Sequence, residues 1–338
     1  MNGSAMVSSL GRRVCRPLFR ALMRDRATVF MLHRLDDRAN GVHGHSIEFL
    51  HQTIQALRRE GAVFVPVSTI LERWYAGQAG EPEWVAFTVD DGFADQAELA
   101  RRAFLPLECP VTIFLISDFL DGKLWPWDDQ LAYTFRLTKR ANASLQLVGE
   151  TLDIKLESPQ DKRNALRVVR EHCKSHSNER LYETVRGIAA ALEVDLPEAP
   201  PPEHRPMSWD EARALEKLGV DFGPHSVSHR ILSRLEDETS RHEINQSWMR
   251  VRQELTRPVP IFAWPTGRHT DFGPREIDNA THAGLRGSMA TDDDYALLDR
   301  KLPKADMYRL RRFALPNTVE RTLRYASGAE RGRQLIPI

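Results

Sequence analysis

Short runs of β-branched and aromatic residues alternate along this chain with longer segments whose apolar positions recur every three or four residues. ATVFMLH (27–33) predicts a strand, followed by a helix over Ile47–Glu60. VFVPV (63–67) predicts a second strand with a helix over Ile70–Tyr75. WVAFTVD (84–90) predicts a third with a helix over Ala94–Phe104, and VTIFLIS (111–117) a fourth. Strands and helices alternating at this spacing imply βα units around a parallel sheet or barrel. The rhythm breaks after Asp121. Residues 122–205 open on LWPWDDQLAYTFRL, carry charged helical runs near Asp161–His176 and Asn178–Leu192, and end in the turn-rich PEAPPPEHRP. Such a stretch reads as a helical insertion closed by a proline-rich linker. The pattern resumes with a Ser-capped helix at Ser208–Leu218. VDFGPH, a long helix Asp237–Leu255, the strand PIFAW (260–264) and a helix near Pro274–Ala283 come next. A strand or two then precedes the helix Val319–Ala326. The division expected is a basic segment over 1–26, the first part of an α/β barrel over 27–121, the insertion and linker over 122–206, and the second part over 207–338.

Composition narrows the class of partner. The 338 residues hold 47 Lys+Arg and 47 Asp+Glu, so no excess of cations points to nucleic acid. With 41% apolar residues the chain can bury a substantial core without staples. Cys15, Cys109 and Cys173 are far apart and form no CxxC pair, which argues against a disulfide framework or a thiolate zinc site. No apolar run reaches the roughly 18 residues of a membrane span. The first 30 residues also lack a signal peptide's apolar stretch, so a cytoplasmic location is expected. Six arginines between Arg12 and Arg26 interleave there with Val14, Leu18, Phe19, Leu22 and Met23. Two readings stand for this segment: an amphipathic helix in peripheral contact with an anionic membrane face, or a helix packing its apolar stripe on the body.

Three clusters bear chemistry. In Phe87-Thr88-Val89-Asp90-Asp91-Gly92-Phe93 an apolar strand ends in two carboxylates and a glycine. Where a chain turns at a strand's C-terminal edge, both acids can converge on a barrel mouth, and two such charges need a cation or proton between them. In Gly223-Pro224-His225-Ser226-Val227-Ser228-His229 two histidines at i,i+4 share a face if the segment turns helically, which suits two imidazoles on one metal. In Phe262-Ala263-Trp264-Pro265-Thr266-Gly267-Arg268 a strand again runs into a turn. Each has an ordinary alternative when taken alone: a helix-capping Asp, a chance pair among 12 histidines, a buried strand with a tight turn.

In order and surroundings the three resemble the NodB-homology polysaccharide deacetylases, carbohydrate esterase family 4. FTVDDGF is similar to that family's first motif, GPHSVSHRILSRL to its second and FAWPTGR to its third. The inserted segment, from LWPWDDQL to MSWDEARAL, resembles a branch associated with polysaccharide biosynthesis. The resemblance implies a distorted (β/α)7-type barrel. It also implies a divalent metal, zinc in most members, on Asp91, His225 and His229, with Asp90 as general base. Pro265, Thr266 and Trp264 would lie on the substrate and oxyanion side, the Thr266 N–H helping to hold the oxyanion. The reaction implied is removal of N-acetyl groups from amino sugars of a glycan or lipid-linked precursor. The alternatives are O-deacetylation with the same machinery and a silent, glycan-binding member.

The chain departs from the family pattern in three places. A late Leu-x-His motif supplies the general acid in many members, and none follows His282. The branch containing poly-N-acetylglucosamine deacetylases uses an early strand-end histidine, whose place matches His33 in Phe30-Met31-Leu32-His33-Arg34. Ala263 stands where many relatives have an arginine that orients the base, and Thr266 where an aromatic is frequent. His43, His45 and Asp292-Asp293-Asp294 are read as exposed loops. Trp125 and Trp127 are read as packing of the insertion rather than a sugar groove, and Arg311 and Arg312 as surface-paired cations rather than a phosphate or carboxylate site.

Overall fold

The chain, described over residues 21, 23–78, 83–299 and 301–331, was analysed as a computed structural model. Of the basic segment expected over 1–26, residues 1–20 and 22 lie outside this description. The first half comprises β1 (Arg26–Leu32), α1 (Ile47–Arg59), β2 (Val63–Phe64), α2 (Val67–Tyr75), β3 (Trp84–Asp91), α3 (Ala94–Leu99), β4 (Val111–Leu115) and α4 (Ser117–Leu120). An excursion follows through α5 (Trp127–Leu137), β5 (Asn142–Leu147), β6 (Glu150–Lys155), α6 (Pro159–Ser175) and α7 (Leu181–Ala191). The second half comprises α8 (Trp209–Lys217), β7 (Asp221–Pro224), α9 (Asp237–Glu254), β8 (Ile261–Ala263), α10 (Pro274–His282), β9 (Gly287–Met289), β10 (Ala296–Leu297), β11 (Phe313–Ala314) and α11 (Val319–Ala326).

Strands β11, β1, β3, β4 and β7 pair in parallel in that order, and β8 pairs in parallel with β9. The two groups join where the Val259 N–H donates to the Phe222 carbonyl, and again at the parallel bridge from Met289 to Leu310. Seven parallel strands therefore curl into a distorted barrel with a loosened seam between β7 and β8. All eight residues of β3 are buried, as expected of a strand covered on both faces. Its side chains alternate: Val85, Phe87 and Val89 pack outward with Phe30, Leu32 and the α1 residues Leu50 and Ile54. Ala86 faces inward with Val29 and Phe114. Thr88 and Asp90 share the parity of Ala86, which places them in the barrel interior.

The excursion is not purely helical. β5 and β6 form an antiparallel hairpin, Asn142 opposite Lys155 through Leu147 opposite Glu150, turning at Gly149 with φ +84°. Its apolar positions Ala143, Leu145, Ile154 and Leu156 alternate with polar ones and join Trp127, Phe135, Val169 and Val185 in a separate hydrophobic cluster. Helix α6 starts from a capping box between Ser158 and Asp161, and α8 from one between Ser208 and Glu211. The proline-rich linker returns to the barrel, where the Met207 N–H donates to the Gly92 carbonyl. Cys109 and Cys173 are buried free thiols. Among the described residues, no helix is long and apolar enough to cross a membrane.

Candidate active site

The carboxylates at the end of β3 reach one site through an unusual backbone. Asp91 pairs with Leu115 as a strand residue yet has φ +92°, and Gly92 follows at φ +89°. Strand alternation alone would send Asp91 outward, on the side of Val89; the left-handed turn brings it to the same end of the barrel as Asp90. Ser226 (φ +66°), His229 (φ +57°) and Thr266 (φ +54°) are also left-handed. Such conformations disfavour a side chain and gather where surrounding structure enforces them at functional sites.

Asp91 Oδ1 lies 3.5 Å from Nε2 of both His225 and His229, and one donor atom from each of the three falls within 4.8 Å of the others. The histidines do not meet the condition of a helical turn under which i,i+4 residues share a face. Residues 225–231 are an irregular loop after β7, pinned from below by Glu243 of α9. One Glu243 carboxylate oxygen accepts from the Val227 and Ser228 N–H groups, both at 2.9 Å, and the other from the Ser228 hydroxyl. The Ser226 hydroxyl in turn accepts from the His229 N–H at 2.9 Å. His225 Nδ1 lies 2.7 Å from the Ala263 carbonyl, which only accepts, so Nδ1 carries the proton and Nε2 keeps a free lone pair. His229 Nδ1 faces Asp128 Oδ1 at 3.6 Å, and the His229 carbonyl accepts from the Trp127 indole at 2.9 Å. The inserted segment thus orients one histidine through two neighbouring residues of α5.

Asp90 is held by Arg312, a buried partner and not the surface-paired cation its sequence surroundings suggest. Arg312, fully buried, donates from its two terminal nitrogens to the two Asp90 oxygens, each at 2.8 Å. It also reaches the Thr88 hydroxyl at 3.0 Å and the Ala290 carbonyl at 3.1 Å. Arg312 takes the orienting place that Ala263 in the third motif cannot fill. Its signal in sequence was slight: one of two adjacent arginines immediately before the strand Phe313–Ala314. Arg311 instead meets Asp294 at the surface.

Burial works to raise the Asp90 pKa, but Arg312, with His225 and His33 assisting, outweighs it and brings the carboxyl down to about 2. Asp91 is likewise pushed up by burial and pulled below the usual carboxylate range by the two histidines. Burial works against a charged His229, yet Asp128 and Asp91 raise its pKa above the ordinary imidazole value. Only Asp90 among these acids has a buried guanidinium of its own. Asp91 Oδ1 is buried with no hydrogen-bond partner, and positive charge is what that atom lacks. One carboxylate and two imidazoles whose Nε2 atoms converge on it form a donor set that fits a zinc-class divalent cation and leaves coordination positions open.

The remaining predicted residues divide. His33 follows Leu32, which pairs with Val89, so it leaves β1 beside Asp90. It is exposed, and it lines with Asp91 and Asp128 a cavity of about 1030 Å³. Its carbonyl accepts from Gln96, whose amide oxygen also takes the Gly92 N–H. Pro265 and Thr266 form a tight turn in which the Gly267 N–H meets the Pro265 carbonyl, and the Thr266 hydroxyl donates to buried Asp271. Trp264 does not face a substrate groove. Its indole is buried, stacks on Phe272 at 4.8 Å and donates to the Tyr308 carbonyl, a role in the barrel wall. Trp125 and Trp127 are buried as expected of packing residues. His45 is half-buried, its Nε2 3.1 Å from the Leu315 carbonyl, rather than lying in an open loop.

Comparison with known proteins bears on this arrangement. Residues 164–285, which hold the second and third motifs, match the family model for polysaccharide deacetylase. No curated protein matches the chain in sequence. Several solved structures share its fold. The Streptococcus pyogenes deacetylase PplD, in complex with acetate, aligns at TM-score 0.57 and 13% identity over 89% of this chain and 98% of its own. A de-N-acetylase from Aggregatibacter actinomycetemcomitans aligns at 0.55 and 14%, over 89% and 100%. IcaB from Ammonifex degensii aligns at 0.51 and 14%, over 90% and 97%. At such identities the likeness speaks for the fold, and the barrel it shows is the NodB type. The family match falls on the loops that carry both histidines and the Pro265–Thr266 turn, and over those residues the chain is similar to the polysaccharide deacetylases.

Proposed function

We propose that this chain is a metal-dependent hydrolase that removes N-acetyl groups from amino sugars of a glycan or glycan precursor. The observation that carries the reading is the buried, partnerless Asp91 Oδ1 between two imidazole Nε2 atoms, one residue from a carboxylate gripped by Arg312. Asp91, His225 and His229 would hold the cation, zinc by the nature of the donors. When bound, such an ion lowers the pKa of water and polarises an acyl carbonyl.

The chain's own residues supply the rest. Asp90 stays ionised at every physiological pH, and the lone pairs that Arg312 leaves free accept the proton of the attacking water. Arg312 fixes the direction of that carboxylate and keeps the negative charge bearable in the barrel interior. The amide nitrogen must leave as an amine, since an amide anion is too basic to depart. His33, exposed at the cavity mouth, would give it a proton. The C–N bond breaks, the acetyl carbon keeps the water's oxygen, and acetate and a free amino sugar result. The Pro265–Thr266 turn would border the acetyl group, with the Thr266 N–H toward the oxyanion.

Acetate release from N-acetylglucosamine oligomers, measured beside bound metal, tests the proposal. About one zinc-class ion per chain is expected in the wild type and in Asp90→Asn, with turnover in Asp90→Asn reduced by 10²-fold or more. Full acetate release by Asp90→Asn, or wild-type protein that binds no divalent metal, would overturn it. His33→Ala should lose the limb of the pH–rate profile that reports the acid; an unchanged profile and rate would remove His33 from that role.

A further inference from the structure

The wall opposite the metal pocket is charged in a way that the balanced composition conceals. Arg163, Arg167, Arg170 and Lys174 stand at i, i+4, i+7 and i+11 on α6, and all four line the cavity that contains Asp91 and His33. On a helix this spacing makes one continuous stripe, about 16 Å long. The helix keeps it in place by burying Ala165, Val169 and Cys173 in the cluster of the inserted segment. The stripe passes the site at Arg170, which donates to the Asp128 carbonyl at 2.8 Å, and Asp128 faces His229.

The nearby acids neutralise it only at the Arg170–Lys174 end, where Asp128 and Glu171 lie. Asp129 accepts from the Trp125 indole at 2.6 Å and lies 3.8 Å from Arg34, Glu157 is taken by Lys155 at 3.0 Å, and Glu171 by Arg268 at 2.8 Å with a longer contact to Lys174. Arg163 donates to the neutral Gln160 side chain. No carboxylate among the described residues forms an ion pair with Arg163 or Arg167, whereas Arg170 lies close enough to the Asp128 carboxylate to help hold it ionised. Arg170 Nε is in addition buried without a hydrogen-bond acceptor. Guanidinium groups with no carboxylate partner along a cavity wall present the donor geometry that carboxylate and phosphate oxygens accept.

We propose that this wall recognises an acidic glycan, one carrying carboxylate or phosphate groups along its length, laid along α6 with an acetamido group reaching the Asp91–His225–His229 pocket. A lone diphosphate would meet only part of a stripe this long, so the length favours charges distributed along a chain. The acetamido end of this assignment rests on the deacetylase reading above; the anionic end does not.

Isothermal titration of the metal-loaded full chain tests it without requiring turnover. The probes are an oligosaccharide of alternating N-acetylglucosamine and glucuronate, a neutral N-acetylglucosamine oligomer of equal length, and UDP-N-acetylglucosamine. The acidic oligomer should bind about tenfold more tightly than the neutral one, and raised salt should remove that advantage. Arg163→Gln/Arg167→Gln should lose most of it, whereas Arg186→Gln, an exposed arginine of α7 outside the cavity, should keep it. Equal binding of the two oligomers, or a preference that survives the double substitution, overturns the proposal. Tight binding of UDP-N-acetylglucosamine alone overturns the extended-chain assignment. Salt-sensitive binding of the acidic oligomer without acetate release from any probe would instead refute the deacetylase reading and leave the anionic wall standing.

Discussion

Arg312→Met removes the guanidinium from a pair whose members are both almost wholly buried and leaves Asp90 without its counter-charge. Breaking a buried pair from one side costs about 3–5 kcal/mol, because the survivor's desolvation is no longer offset. That is a large part of the roughly 5–15 kcal/mol by which a domain is stable. The pH dependence gives a sharper test. In the wild type the folded Asp90 pKa of about 2 lies below its ordinary 3.8, so its contribution, about 2 kcal/mol, is complete above pH 4 and fades as pH falls toward 2. In Arg312→Met the burial that already pushes upward meets less opposition, and the folded pKa should rise above its unfolded value. The folded state then favours the protonated acid, and stability falls as pH rises through the shifted pKa. Urea unfolding of metal-free protein at pH 5 and pH 7 reads the difference. The deficit of Arg312→Met against wild type should be several kcal/mol and larger at pH 7. Asp90→Leu/Arg312→Met should recover much of it, since replacing both partners removes both buried charges. A deficit below about 1 kcal/mol, or strictly additive single effects, would refute the reasoning.

Glu243→Ala removes the acceptor of two backbone N–H groups and a hydroxyl in the histidine loop; metal affinity should drop about 10- to 100-fold in a competition titration. Gly223→Ala would place a Cβ 2.5 Å from the Ile261 carbonyl oxygen, forcing β7 from β8 two residues before His225. A loss of about 1–3 kcal/mol with weakened metal binding is expected from thermal and metal titrations. Asp128→Asn takes away a group that raises the His229 pKa. NMR titration of metal-free protein should show that pKa fall, since burial then acts with less opposition.

Much of this protein is written locally. Alternating apolar runs place β1, β3 and β4 within a residue or two, the Ser208 cap marks α8, and the family resemblance of the three motifs singles out Asp91, His225 and His229 as candidate metal ligands. Local pattern misleads where the backbone leaves regular geometry. The i,i+4 spacing of His225 and His229 would share a face only on a helical turn, and instead an irregular loop with left-handed residues at Ser226 and His229, braced by Glu243, brings both imidazoles to Asp91. The hairpin β5–β6 shows the reverse: its period-two alternation was present in Ala143, Leu145, Ile154 and Leu156, overshadowed by the charged helices beside it. Other features belong to tertiary structure alone. Arg312 meets Asp90 across 222 positions because β11 closes beside β1, and nothing near Arg312 in sequence distinguishes it from its neighbour Arg311, which pairs at the surface. The cationic face of α6 likewise joins the cavity of Asp91 and His33 only when the inserted segment folds against the barrel. Pattern and spacing encode what a chain does over a few residues; which distant charges share a low-dielectric interior is decided by closure of the barrel, where an unpaired charge is too costly to leave.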